Sequence, residues 1–196
     1  MCIRDRLRAG AEGRAGELET EARRQVVLAL VSALEPVVHR ISELTIEIRH
    51  ALQAHPDGAT FRSLFIAQDS WLCAATMIAE IGDCRERYPT YRALAADAGQ
   101  CPVAVESGKC KHAQFRWACD HRLCQAFCTL SDASRRHNPW AADIYNRARA
   151  RGASHTHATR ILGRAWCQVV WRLWQDHHTY DPTNHTALQR LTAAAT

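Results

Sequence analysis

The stretch Val27-Leu-Ala-Leu-Val-Ser-Ala-Leu-Glu-Pro-Val-Val-His-Arg-Ile-Ser-Glu-Leu-Thr-Ile-Glu-Ile-Arg-His-Ala51 decides the fold class of this 196-residue chain. Within it Val27, Leu30, Leu34, Val37, Ile41, Leu44, Ile48 and Ala51 follow one another in alternating steps of three and four. Such steps return side chains to one stripe of an α-helix, and in heptad form they make the seam by which a helix meets a partner helix. A long helix over about residues 17–55 is therefore expected. Pro36 lies inside it, and proline removes a helical hydrogen bond and crowds the preceding turn, so a bent helix or two consecutive helices is expected. The seam has two readings: a coiled-coil contact between protomers, or an amphipathic helix packed on its own domain. His55-Pro-Asp-Gly58 supplies turn chemistry that ends the segment.

Outward from that helix the pattern stays helical. Asp69 or Ser70 can cap a helix from Trp71 to Ile81 that stops at Gly82, and Thr90 can cap another ending before Gly99. Gly99 to Lys111 reads as a loop, followed by a long helix over about Gln114 to Ser134. Asn138-Pro139 is a cap with proline at the first helical position, with Gly152 as the stop. Ser154 starts a last long helix with Ile161, Leu162, Ala165, Val169 and Leu173 on its apolar face, closed by Tyr180-Asp-Pro182. Few segments alternate with strand period. The expected class is mainly α: a heptad-bearing N-terminal helix over residues 17–58, then a compact helical domain over 59–182. Residues 1–16 are expected to be unstructured or an artefactual start, and 183–196 a frayed tail.

Charge is unevenly spread. The net charge is +5, yet from Ser107 to Arg172 there are twelve Lys and Arg against three Asp. A locally basic half is the electrostatic footprint of a nucleic-acid surface, and a solvated helical face gives the same count. No uncharged apolar run of spanning length is seen, so no membrane helix is expected. Met1-Cys-Ile-Arg-Asp-Arg6 lacks the apolar core of a secretory signal. Nine cysteines without such a signal point to a reducing, cytoplasmic setting rather than a disulfide framework. Cys119, Cys124 and Cys128, joined by His112 or His121, could make a zinc-stabilised domain; packing as small hydrophobes is the other reading.

Ser107-Gly108 is a turn dipeptide next to Lys109, Lys111 and Arg116. A hydroxyl in a positive field suits attack on phosphate, with the cations stabilising charge that develops on the phosphoryl group. Arg135-Arg136, Arg147, Arg149, Arg151, Arg160 and Arg164 form a second basic set, with Arg147/Arg151 and Arg160/Arg164 each four apart. Rows at that spacing can track phosphates or can be solvated surface. Trp166, Trp171 and Trp174 read as core, and the tryptophans do not interleave with the basic residues as a stacking platform. Glu80, Asp83, Glu86 and Asp97 are too scattered to gather a metal, so no metal site is expected in this chain.

Ala79-Glu-Ile-Gly-Asp83, Gly99-Gln-Cys-Pro102, Glu106-Ser-Gly-Lys109, Arg116-Trp-Ala-Cys119, Arg149-Ala-Arg-Gly152 and Tyr180-Asp-Pro182 occur in that order. Over about residues 60–182 this set resembles the C-terminal part of the bridge-RNA-guided insertion-sequence transposases, the insertion-sequence one-ten family. The helix before it resembles that family's coiled-coil linker. The resemblance implies a DNA transposase or site-specific recombinase whose serine nucleophile is matched by Ser107. It implies Lys109, Lys111, Arg116, Arg122, Arg135 and Arg136 as nucleic-acid contacts. It also implies DNA and a structured guide RNA as partners, and a homo-oligomer through residues 17–55. Mg²⁺ is implied in an N-terminal RuvC-like domain of DEDD type, a domain not seen in this sequence, so the chain alone is expected to be inactive. Two departures stand out. Leu64-Phe-Ile-Ala-Gln-Asp69 replaces a glycine-containing hairpin, and Cys124 replaces an arginine. The rival class is a non-catalytic basic helical module that binds nucleic acid or regulates.

Overall fold

The computed structural model describes residues 16–66, 70–107 and 110–185, with backbone only at 107 and 110–112. Its elements are α1 (Glu17–Ala54), α2 (Gly58–Arg62), α3 (Trp71–Ile81), α4 (Tyr91–Asp97), β1 (Val103–Ser107), β2 (Cys110–Gln114), α5 (His121–Ser134), α6 (Pro139–Ala150) and α7 (His155–Asp176). Two 3₁₀ turns, Arg85–Arg87 and Pro182–Asn184, complete the order. The protein is mainly α, as its periodicities require.

The chain divides into two units, Met1–Glu47 and Ile48–Thr196. In the first, α1 runs through Pro36 as one element, so the alternative of two consecutive helices does not hold. The helix has 38 residues, long enough to carry one lost hydrogen bond. Leu30, Leu34, Val37 and Ile41 are each more than half exposed, so the heptad seam is bare. Part of α1 averages a hydropathy of 1.3 over 18 residues, enough by length and composition alone to cross a membrane, a feature the sequence reading did not anticipate. Its apolar residues nevertheless recur as a stripe among Glu35, Arg40, Glu43 and Glu47, the pattern of a helix facing a partner helix.

The second unit is organised by α7. Ala158, Leu162, Trp166, Val170 and Trp174 recur every four residues and are at most 1% exposed. That ridge packs into α4, α5, α6 and α2. Burying each large side chain of the ridge contributes about 1.5–3 kcal/mol. Trp166 also meets Trp140 edge-on at 5.1 Å and donates its indole N–H to Ser134 Oγ at 2.8 Å, which satisfies the one polar atom it buries. Caps set the helix starts where the sequence placed them. Thr90 accepts from the Ala93 N–H, Asn138 from Trp140 and Ala141, and Ser154 from His157. Gly82 lies past α3 at φ +76° and Gly152 past α6 at φ +86°. Ser70 stands at the N-cap of α3 without a capping hydrogen bond, and Asp69 lies outside the described residues.

Three boundaries correct the sequence reading. Residues 99–111 are not all loop: β1 and β2 form an antiparallel pair with Val103 opposite Gln114 and Ser107 opposite Cys110. The helix expected from Gln114 begins at His121 instead, because Asp120 caps it by accepting from the Arg122 and Leu123 N–H groups. The last helix stops at Asp176, where His177 takes the left-handed conformation at φ 54°.

Candidate nucleic-acid interface

The two-stranded hairpin is too small to be stable by itself, so its feet decide where it points. On the entering side, Gln100 and Cys101 donate backbone N–H groups to Ala95 O at 2.8 and 3.1 Å. Gly99 adopts φ +64°, and a Cβ there would lie 2.8 Å from Cys119 Sγ, so only glycine fits. On the leaving side, the Asp120 N–H donates to Asp97 O at 2.8 Å. Gln100 is buried; its amide donates to Ala98 O at 3.0 Å, and its carbonyl end lies where a Cβ on Gly163 would have to be. The hairpin is thus fixed to α4, α5 and α7 at its base.

Ser107 ends β1 and is the last residue of the ladder before the two connecting residues. Its side chain, those of Lys111 and His112, and all of Lys109 lie outside the description. Arg116 follows the hairpin and is half-buried; its Nε is buried with no hydrogen-bond partner. With His157, Arg160, Arg164 and Phe115 it lines a cleft of about 270 Å³. His157, Arg160 and Arg164 stand on one face of α7 at steps of three and four. The Arg160 guanidinium lies over the Phe115 ring, 4.0 Å from its centre. The lining includes no carboxylate. Among the described residues no ion pair involves Arg116, Arg160 or Arg164.

The other nominated cations are answered locally. Arg135 and Arg136 both bind Asp132, at 2.7 and 2.9 Å. Burial pushes the Asp132 carboxyl up, but the Arg135 hydrogen bond and the charges of Arg135, Arg136 and His155 outweigh it and hold the pKa below its ordinary value. Arg122 reaches Glu80 at 3.6 Å from a largely exposed position. The structure therefore brings Arg116 together with Arg160 and Arg164; Arg160 also lines a second groove with Asp132 and Arg136, and Arg122 lines neither.

Two features were missed in the sequence. Trp117 is 76% exposed and meets edge-on, at 5.0 Å, the ring of Phe115, which lines the cleft. Trp166 and Trp174 are core, as expected, whereas Trp117 is exposed. Behind the cleft, Cys128 is drawn down to about 6 by a hydrogen bond from Cys124, helped by the Gln100 amide and the charge of Arg160, against the effect of burial. Cys124 moves up in consequence.

Among the described residues only His55, Asp57 and Asp83 bring three ligand atoms within 4.8 Å of one another, and the thiols of Cys119, Cys124 and Cys128 do not. Asp57 is buried and already engaged by Arg85 at 2.6 Å and His177 at 3.1 Å, so the group reads as an ion-pair knot joining three segments of the fold. Asp97 is held by Arg87 and by the Tyr88 hydroxyl.

Residues 71–146 match the model of the "Transposase IS116/IS110/IS902 family". The chain is 29% identical over 167 residues to the Streptomyces coelicolor mini-circle protein named as a transposase for IS117, covering 85% of this chain and 38% of that protein. It is 29% identical over 157 residues to the IS110 43.6 kDa protein of the same species, covering 80% of this chain and 38% of that one. It is 31% identical over 117 residues to the IS900 42 kDa protein of Mycobacterium paratuberculosis, covering 59% and 29%. The chain thus spans well under half the length of these relatives.

Proposed function

We propose that this chain is the serine-bearing part of an insertion-sequence transposase, which grips DNA and supplies Ser107 for strand transfer. The observation that carries the reading is the match over residues 71–146, a span that contains the hairpin whose first strand ends at Ser107. Ser107 Oγ attacks a backbone phosphorus; a P–Oγ bond forms as the bond from phosphorus to the leaving sugar oxygen breaks. The serine proton goes to solvent or a base, and the leaving oxygen takes one up. The serine–DNA phosphodiester keeps the bond energy, so the reverse attack by another strand end needs no further energy source. Lys109 and Lys111, two and four residues beyond Ser107 in the sequence, are the cations this reading assigns to offset the charge that builds on the phosphoryl oxygens.

The carboxylates gathered for Mg²⁺ in the resembling family have no counterpart among the described residues, so in this reading they come from a RuvC-like domain outside them. A structured guide RNA selects the DNA, and the work is done in the cytoplasm by an oligomer joined through α1. The bare seam at Leu30, Leu34, Val37 and Ile41 supports that contact. Ile41→Asp with Leu34→Asp is expected to convert a self-associating chain to monomer in sedimentation velocity.

The test of the function is Ser107→Ala in a recombination assay supplied with a RuvC-like domain, guide RNA, donor and target DNA. Loss of recombination with retained DNA binding is the expected result. Unchanged recombination would replace the nucleophile reading with that of a non-catalytic binding module. The chain alone, with Mg²⁺ and guide RNA, is expected to leave supercoiled DNA intact.

A further inference from the structure

A positive charge taken half out of water without a counter-charge is costly, and proteins normally answer it with a carboxylate. From Arg122 to Arg172, Arg122, Arg135, Arg136, Arg147 and Arg172 each have an acidic partner, while the exposed Arg149 and Arg151 meet solvent. Arg116 and Arg160 are half-buried and have none, and Arg116 Nε lacks any hydrogen-bond partner. Arg160 rests on an aromatic face, which orients it without neutralising it. A pre-positioned cluster of cations with no carboxylate partner is a site for an anion that comes and goes.

The shape narrows the choice. A cleft of about 270 Å³ has room for a phosphate with its sugar, and no room for a duplex. Its apolar lining, Pro102, Ala113 and Ile161, suits the sugar face rather than a free inorganic anion. Next to the cleft-lining Phe115, and in edge contact with it, is Trp117, an indole 76% exposed. An exposed indole beside unpaired arginines is the pairing that single-strand binders use: cations follow the backbone and the ring stacks a base. Stacking requires a base that has left its partner. The cleft lies by Gln114, which pairs with Val103, and Ser107 is four residues further along β1. At ~3.4 Å per residue that separation is about 14 Å, a distance a few nucleotides of one strand can bridge.

We propose that the cleft and Trp117 together hold an unpaired segment of a DNA strand, with backbone phosphate against Arg116, Arg160 and Arg164 and one base stacked on Trp117. The site delivers that strand toward the hairpin tip. The choice of DNA rests on the transposase reading; the choice of an unpaired strand rests on the cleft and the indole.

The test measures anisotropy of a labelled 12-nucleotide DNA strand, the same sequence as duplex, and the same sequence as RNA, each against the 196-residue chain over a salt series. The single DNA strand is expected to bind about tenfold more tightly than the duplex. Trp117→Ala should weaken it about tenfold, with Trp117→Phe restoring most of the loss and neither changing the salt slope. Arg160→Gln with Arg164→Gln should lower the logarithmic salt slope by about 1.4, roughly 0.7 per lost phosphate contact. Both Trp117 and Arg164 are exposed, so circular dichroism of these variants should match the parent. Equal or tighter duplex binding, or no effect of Trp117→Ala, overturns the proposal. RNA binding more than tenfold tighter than DNA overturns the assignment to DNA. None of these readouts uses Ser107 chemistry, so failure of the nucleophile in the recombination assay leaves this site standing. Failure here likewise leaves the nucleophile standing.

Discussion

Two groups of arginines lie against the same pair of packed helices and differ in what answers their charge. Arg135 and Arg136, at the end of α5, share the carboxylate of Asp132. Arg160 and Arg164, on α7, face Arg116 across a cleft with no carboxylate in its lining. In the first group the one carboxylate, within 3 Å of both guanidinium groups, offsets one of their two charges. The second has no carboxylate partner, only the Cys128 thiol close to Arg160. A tally of Lys and Arg along the sequence counts the two groups equally, but the field at a surface depends on which cations remain unpaired.

The sharpest way to break this comparison is charge reversal. Arg160→Glu with Arg164→Glu is expected to weaken single-strand DNA binding at least about 100-fold, since two phosphate contacts turn repulsive. Arg135→Glu with Arg136→Glu should cost less than about fivefold by the same measure. Equal losses in the two variants would show that Asp132 does not silence its arginines, and the contrast between the regions would disappear.

A second prediction uses the way each region is built. The Asp132 pairs are local to one helix end, whereas the cleft depends on a junction between the hairpin foot and α7. At that junction Gly163 has no room for a side chain: an added Cβ would lie 2.3 Å from the Gln100 carbonyl oxygen and 2.9 Å from its carbon. Gly163→Ala is expected to cost about 1–3 kcal/mol in denaturant unfolding, as overpacking does. It should also loosen the cleft, so that the preference for single-stranded over double-stranded DNA falls with it. A variant that is destabilised but keeps the full preference would separate the cleft from the junction.

This division between local and tertiary also explains what was legible in the sequence. The heptad steps from Val27 to Ala51 and the caps at Thr90, Asn138 and Ser154 are local signals, and the helices follow them closely. The hairpin was missed because its alternation is short: Val103 and Val105 are the apolar pair in β1, and the strand faces solvent on most of its length. Its two connecting residues, Gly108-Lys109, carried the available hint, since glycine in a two-residue link between extended runs favours a hairpin. Arg135-Arg136 drew attention as a basic dipeptide, yet Asp132 three and four residues earlier already predicted their neutralisation. Nothing in the sequence unites Arg116 with Arg160, because 44 residues and a helix packing separate them. The exposure of Trp117 likewise belongs to tertiary structure: Trp140 and Trp166 are the same residue type, and they are buried.

A smaller effect sharpens the comparison from the other side. Asp132→Asn removes the carboxylate and frees Arg135 and Arg136, so single-strand affinity should rise about threefold at low salt and converge with the parent at high salt. The sign for stability is opposite. The Asp132 pKa is lowered in the folded state, so its contribution is full above the ordinary carboxylate pKa and is lost as pH falls through the lowered value. The variant should therefore lack part of the acid-side decline seen in the parent's thermal unfolding. If affinity and the acid limb both stay as in the parent, Asp132 is not the group that distinguishes the two regions.

The smallest effect concerns the one counter-charge the cleft arginines can have. Arg160 lacks a carboxylate but acts on Cys128, whose thiol sits near 6. The hydrogen bond from Cys124 is the first cause of that lowering, so Cys124→Ala should raise the pH midpoint of Cys128 alkylation toward the ordinary thiol range, by about one unit or more. Above pH 6 in the parent the thiolate offsets part of the Arg160 charge; in the variant that offset sets in only at higher pH. Single-strand DNA binding near pH 7 should then be slightly stronger in Cys124→Ala than in the parent, and the two should agree below pH 5, where both thiols carry their protons. A midpoint for Cys128 that does not move would mean that Arg160 and Gln100, rather than Cys124, hold the thiolate. Thiolate and guanidinium would then hold each other directly, and Cys124→Ala would leave DNA binding at pH 7 as in the parent.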